Sequence, residues 1–304
     1  MERGWNRRMN PRGIGIPLVL AAVLVPACTP EACTSFVEYA SGGAWYGMNF
    51  DWYPDQEILF RIETDMEGGR VFTMAFIDAG DTLSTAGMTA DGRFSTLQVT
   101  DAEWTGPDPD EGTPMIYWPF YALIYRGASM DDVADMVAID TYSQYDDPPL
   151  HVITADASGR AMIIEVGADG NDILERGGRP FMAMTNFHSC SWAGRDPALI
   201  EGCGADRYRS ALRALKDRLG AMSPEAGMAV LEAAENLSPD FPTRASMVFD
   251  ATRARVYIAV SGEFEDVRVL DIATGLLESW PDGGGDPLLI GEQGITASEI
   301  LSGD

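Results

Sequence analysis

The sequence predicts an α+β protein of layered antiparallel sheets with helices on the outside. Three observations carry this. The elements run strand-rich, helical, strand-rich, helical, strand-rich, an order that suits sheets packed in layers rather than alternating βα units. Short turns rich in Gly, Asp and Ser separate the strand-like runs, as hairpins require. Neither a GxGxxG fingerprint nor a phosphate-binding loop occurs, which removes the common doubly wound nucleotide-binding arrangement. The chain has 304 residues, 46% of them apolar and 22% charged, so it can bury a full core.

The elements follow in order. "CTSFVEY" and "AWYGMNF" (44–50) read as two strands joined at Ala40-Ser41-Gly42-Gly43, where the Gly pair suits a tight hairpin. Residues 58–62 and 71–77 are the next strands, split by "EGGR", and 94–99 is another. The acidic, Pro- and Gly-bearing stretch 101–114 is a loop. Residues 118–125 read as a helix that tolerates Pro119 only in its first turn. Ser129 caps a second helix to Ile139, with Asp132 three residues on and an apolar stripe of Met130, Val133, Met136 and Val137. Strands at 150–155 and 161–166 flank the turn "DASGR", and 181–186 is a further strand. Helices are expected at 205–219 and 224–236, the second capped by Ser223 with Pro224 at its first position. Strands at 246–250, 255–260 and 267–271 precede a tail rich in Gly and Asp. With no internal repeat and no long linker, residues 33–304 are expected to form one domain.

The N-terminal segment reads as an export signal. Arg3, Arg7, Arg8 and Arg12 precede the twelve-residue apolar run Ile14–Val25, which is brief for a membrane span. Residues 1–32 are therefore expected to be a signal peptide and a short propeptide, and the protein to reach the periplasm or the exterior. "VPAC" loosely resembles a lipoprotein box, which makes Cys28 the alternative lipid anchor. The formal net charge is −26, and losing residues 1–32 removes four Arg and two Glu, leaving about −28. Such a surface repels nucleic acid and anionic headgroups, so no nucleic-acid partner is expected, nor any transmembrane segment after processing.

Two of the four cysteines, Cys190 and Cys203, lie thirteen residues apart and are expected to pair as a disulfide in an oxidising compartment. They match no metal signature. Cys33 is either a buried or disulfide-bound cysteine or a nucleophile. A cysteine made N-terminal by removal of Ala32 combines a thiol with its own α-amine, whose reference pKa near 8 lets one residue supply nucleophile and base. Asn49 and Asp51, two apart in "YGMNFDW", share one face of the strand expected to pair with that of Cys33.

Cys33-Thr34-Ser35-Phe36 followed by Gly47-x-Asn49-x-Asp51 resembles the mature start of the bile salt hydrolase and penicillin V acylase family, N-terminal-nucleophile hydrolases of linear amides. "GMTADGR" (87–93), "HVITADASGRAMIIEV" (151–166) with Glu165, "MTNF" (184–187), "DRYRSAL" (206–212) and "TRASMVFDATRARVYIAV" resemble further family patches in the same order. The resemblance spans about 33–262. It implies a four-layer αββα sandwich, with Cys33 as nucleophile, Asp51 at its amine, Asn186 binding the oxyanion and Arg207 polarising the site. Gln98, reached with a one-residue gap, stands near the second oxyanion donor, and the backbone amide of Thr34 or Asn49 offers another. Oxyanion donors each contribute about 3 kcal/mol.

One position departs from the family pattern: Met48 stands where an Arg is usual. A thioether carries no charge, so the site is either more apolar, compensated by Arg61 or Arg207, or less active. His151 and His188 are the only histidines. His151 matches a non-catalytic strand His, and His188 is a candidate for the pocket mouth. Trp45, Trp52, Tyr53, Phe120, Tyr121 and Tyr125 are candidates for an acyl pocket.

The resemblance implies hydrolysis of a small N-acyl amide without metal or cofactor. Two rivals stand beside it: a non-catalytic envelope binding protein anchored at Cys28, and an acyltransferase using the same thioester. A homo-oligomer is compatible with the chain.

Overall fold

The computed structural model describes residues 33–78, 81–101, 113–144, 149–283 and 286–302. Cys28 and the rest of 1–32, and most of the expected acidic loop, lie outside them. Two eight-stranded antiparallel sheets stack face to face. The first contains β1 (Thr34–Glu38), β2 (Trp45–Asp51), β10 (Phe181–Met184), β11 (Thr243–Asp250), β12 (Arg255–Val260), β13 (Val267–Asp271), β14 (Leu276–Trp280) and β15 (Leu288–Leu289). Its spatial order is β10-β1-β2-β11-β12-β13-β14-β15. The second contains β3 (Ile58–Thr64), β4 (Arg70–Asp78), β5 (Asp81–Thr89), β6 (Phe94–Val99), β7 (Leu150–Ala155), β8 (Ala161–Gly167), β9 (Gly170–Glu175) and β16 (Ile295–Thr296). It runs β16-β3-β4-β5-β6-β7-β8-β9.

Helices close both outer faces. α3 (Ala205–Asp217) and α4 (Pro224–Ala233) cover the first sheet, where Leu215, Val230 and Leu231 pack on Phe36 and Val248. α1 (Trp118–Tyr125) and α2 (Met130–Ile139) cover the second, where Phe120, Ile124 and Val133 meet Leu97, Val152 and Ile164. The largest cluster lies between the sheets and holds Val37, Tyr46, Met48, Phe50, Phe72, Phe94, Ile163 and Met247. The four layers are therefore α, β, β, α. A last helix, α5 (Ala297–Ser302), packs against β3, β12 and β16. No helix of the described residues is long and apolar enough to cross a membrane.

Local sequence explains much of this. Ser129 and Asp132 form the expected reciprocal capping box, and Ser223 accepts from the Ala226 amide at the start of α4. β1 and β2 are buried on both faces because each is covered by helices on one side and by the second sheet on the other. Gly47 is required at its place: a Cβ there would lie 2.1 Å from the Phe36 ring on the paired strand. β5 is small and polar (DTLSTAGMT) yet central, and the edge strand β9 is polar and partly exposed. Neither carries the apolar signal that marks the other long strands.

Candidate active site

Cys33 begins the described chain beside β1, 3% exposed, with its Sγ 4.0 Å from the Asp51 carbonyl. β1 and β2 pair with Thr34 opposite Asn49, and β2 pairs with β11 through a bulge between Thr243 and Ala245. The hairpin and the bulge together bring Asp51 and Thr243 to the end of the sheet where Cys33 sits.

Arg207 organises the group. Its Nη1 donates to Asp51 Oδ2 at 2.9 Å and to the Cys33 carbonyl at 3.4 Å, and its Nη2 donates to Asn186 Oδ1 at 3.2 Å. The side chain springs from the first turn of α3, behind Gly204 at φ 73°. A Cβ at Gly204 would lie 2.8 Å from Arg207 Nη2, so glycine both adopts the left-handed turn and clears space for the guanidinium. The other oxygen of Asp51 accepts from Thr243 Oγ1 at 2.6 Å, and that hydroxyl in turn accepts the Asn236 amide at 2.8 Å. Asp51 is fully buried, and burial pushes its carboxyl up to about 7 against the pull of Arg207 and Thr243. Asn186 donates through Nδ2 to the Val99 carbonyl at 2.7 Å, and a primary amide has a second hydrogen on the same nitrogen. Thr243 escaped the sequence reading because its role depends on a bulge.

The remaining candidates stand differently. Asn49 turns its side chain to the helical layer: Nδ2 donates to the Leu231 carbonyl at 2.8 Å and Oδ1 accepts from Ser246 at 2.8 Å. Its side chain ties β2 to α4 rather than facing the thiol. Gln98 donates to Ser35 Oγ instead of an open oxyanion position, and its Oε1 is buried with no partner among the described residues. Met48 is fully buried in the same inter-sheet cluster as Cys33. Arg61 pairs with Glu63 at 3.5 Å, whereas Arg207 contacts the Cys33 carbonyl at 3.4 Å. Phe120, Tyr121 and Tyr125 sit on α1 in the outer layer, and Trp45 faces the α3/α4 side. Trp52 and Tyr53 follow Asp51 directly and meet edge to face with ring centroids 5.5 Å apart.

The expected pairing of Cys190 with Cys203 is not formed. Cys190 is not in a disulfide, while Cys203 is disulfide-bonded elsewhere. The physical reason lies in their neighbours. The Cys190 amide donates to Glu165 Oε2 at 2.8 Å, on β8, whereas the Cys203 amide donates to Asp101 Oδ2 at 2.7 Å, beyond β6. Burial and the adjacent Glu165 carboxylate push the Cys190 thiol up, away from thiolate character.

Glu165 is the second polar centre. His151 Nδ1 lies 2.9 Å from Oε1, the Ser189 amide donates to Oε1 at 2.7 Å, and His188 Nδ1 lies 3.3 Å from Oε2. Burial alone would raise this carboxyl; the hydrogen bond and charge of His151, the charge of His188 and the Cys190 amide outweigh it and hold it down to about 2.

The fold matches solved structures at low sequence identity. A cysteine-to-alanine variant of the conjugated bile acid hydrolase from Clostridium perfringens superposes with TM-score 0.58 at 12% identity, covering 82% of this chain and 96% of that one. An arginine-to-leucine variant of the same hydrolase gives 0.56 at 13% identity, covering 84% and 96%. Penicillin V acylase from Agrobacterium tumefaciens gives 0.54 at 16% identity, covering 79% and 91%. This chain has the N-terminal-nucleophile hydrolase fold. No protein-family model matches the sequence, and no curated protein sequence matches it. Within the N-terminal-nucleophile fold, the Cys33, Asp51, Asn186 and Arg207 group lies at the end of the β1/β2 hairpin.

Proposed function

We propose that this chain is an exported cysteine amidase that hydrolyses a linear, non-peptide amide of an N-acyl substrate, after removal of residues 1–32 frees the α-amine of Cys33. The observation that carries the reading is the single guanidinium of Arg207 in contact with the Cys33 carbonyl, Asp51 and Asn186 at once. In the proposed reaction the α-amine takes the thiol proton and the Cys33 sulfur attacks the substrate carbonyl. The second Asn186 N–H supports the oxyanion. The α-ammonium then protonates the departing amine, leaving a thioester. Water adds to the thioester carbonyl, a proton returns to sulfur, and the carboxylic acid leaves. Asp51 and Arg207 hold the nucleophilic residue while this occurs. Met48 and the apolar cluster around it favour an uncharged acyl group.

The test is the intact mass and N-terminal sequence of the exported protein beside a Cys33→Ala form, followed by a panel of N-acyl amides. A chain beginning at Cys33 that releases free amine, and a Cys33→Ala chain that does neither, is the expected result. A chain beginning at lipid-modified Cys28, or turnover that survives Cys33→Ala, overturns it.

A further inference from the structure

Glu165 lies on the second sheet, yet its partners include backbone of the segment that follows β10 of the first. Asn186 follows β10 of the first sheet, and the chain then runs 187–190 across to Glu165 on β8. There the Ser189 amide binds Oε1 at 2.7 Å and the Cys190 amide binds Oε2 at 2.8 Å. His151, on the neighbouring strand β7, holds Oε1 from the other side at 2.9 Å and is fully buried. The Glu165 side chain is 1% exposed. Only a carboxylate suits this place, because both oxygens must accept and neither has a proton to give. The start of the same segment is pinned as well: the Asp101 amide donates to the Asn186 carbonyl at 2.6 Å, and the Asn186 side chain reaches Val99 and Arg207.

Three Cα–Cα steps separate the clamped Ser189 from Asn186, so chain stretch alone spans at most about 11 Å between them. Movement at Ser189 is therefore transmitted to Asn186. An amide that is to meet an oxyanion must be held before the reaction, since the gain comes from donors that need no reorganisation.

We propose that Glu165 is a positioning residue: its carboxylate locks residues 186–190 across the two sheets and so fixes the direction in which Asn186 presents its side-chain amide beside Cys33. The catalytic part of this inference rests on the amidase reading; the structural part does not.

Two variants test it, each against Asn186→Ala. Glu165→Gln replaces one accepting oxygen with a donor. Ser189→Pro leaves the carboxylate intact and deletes one clamping N–H at a residue whose φ of −62° already suits proline. The first readout is hydrogen exchange of the Asn186 side-chain amide by NMR, with the resonance assigned by its loss in Asn186→Asp. Exchange is expected to quicken roughly tenfold in both variants, the loss of about one charge-assisted hydrogen bond. Unchanged exchange in a folded variant overturns the proposal, and Ser189→Pro supplies the answer if Glu165→Gln does not fold. The second readout is kinetic. Each variant is expected to lower kcat about 100-fold with little change in KM, as loss of an oxyanion donor does. Added to Asn186→Ala, Glu165→Gln is expected to have no further effect, whereas additive losses mean that Glu165 acts elsewhere and overturn the proposal. A parent protein without amidase turnover defeats the amidase reading alone, and the exchange measurement still decides the position of Asn186.

Discussion

Arg207 Nη1 stands 2.9 Å from Asp51 Oδ2, and the pair is nearly closed off from water, with side-chain exposures of 10% and 0%. The same guanidinium also serves the Cys33 carbonyl and Asn186 Oδ1, so one side chain satisfies three buried acceptors. Removing it takes one donor from each of the three. Arg207→Ala is expected to cost about 3 kcal/mol at pH 8, within the range for breaking a buried pair. The cost should shrink at pH 5, where Asp51 takes up a proton instead. Urea unfolding at the two pH values measures this, and an equal loss at both would contradict it.

Asp51 gives a pH dependence of definite sign. Its ordinary value is 3.8, and in the folded chain burial pushes it up to about 7. Between these values the folded protein binds a proton that the unfolded chain releases. The contribution of Asp51 to stability is therefore full below about pH 4 and is lost as the pH rises through about 7. Asp51→Asn, which imitates the protonated form, should gain stability relative to the parent as the pH is raised from about 4 to about 8. Paired melting curves test this; a constant difference across the range would refute it.

Glu165 runs the other way. Despite its burial, His151, His188 and the Cys190 amide hold it at about 2, below an ordinary 4.5. Its contribution is full above pH 4.5 and is lost as the pH falls through 2. Above pH 4.5 it is worth on the order of 3 kcal/mol. Glu165→Gln should be much less stable than the parent at neutral pH and approach it near pH 2.5, on the order of the folded-state value. Denaturant midpoints measured across that interval decide the matter.

The cysteines separate by substitution. Cys190→Ala removes no cross-link and should leave the melting temperature within about 3 °C of the parent under oxidising conditions. In the unprocessed chain Cys203→Ala breaks a disulfide and should cost about 2–4 kcal/mol. Equal losses from both substitutions would restore the Cys190–Cys203 pairing.

Sequence reasoning succeeded where a signal is local. The Gly42-Gly43 hairpin, the Ser129 and Ser223 caps and the apolar runs of β4, β7, β8 and β12 all appear as expected, because turns, caps and continuous burial write themselves into neighbouring residues. β5 and β9 went unread for the opposite reason. One is built of small polar residues whose burial is supplied by neighbouring strands, and the other is a polar edge. The short closing elements β14, β15, β16 and α5 lie in a tail that looks like loop by composition.

The candidate site divides in the same way. Cys33, Asp51, Asn186 and Arg207 were singled out by motif resemblance, and the fold holds them in one hydrogen-bonded group. The directions of their neighbours were not. Alternation along a strand put Asn49 and Asp51 on one face, but whether that face meets a thiol or a helix depends on what packs above it; α4 took Asn49 and Arg207 took Asp51.

By itself the sequence determined the layer pattern, the hairpin that carries Cys33 and the residue types on which the proposed acyl chemistry draws. Tertiary structure alone decided that Thr243 reaches Asp51 across a bulge, that Cys190 turns to Glu165 and away from Cys203, and that Glu165 joins the two sheets beside Asn186. The physical reason is that these contacts link residues between 24 and 192 positions apart, and no local preference encodes which distant surface a buried polar group will meet.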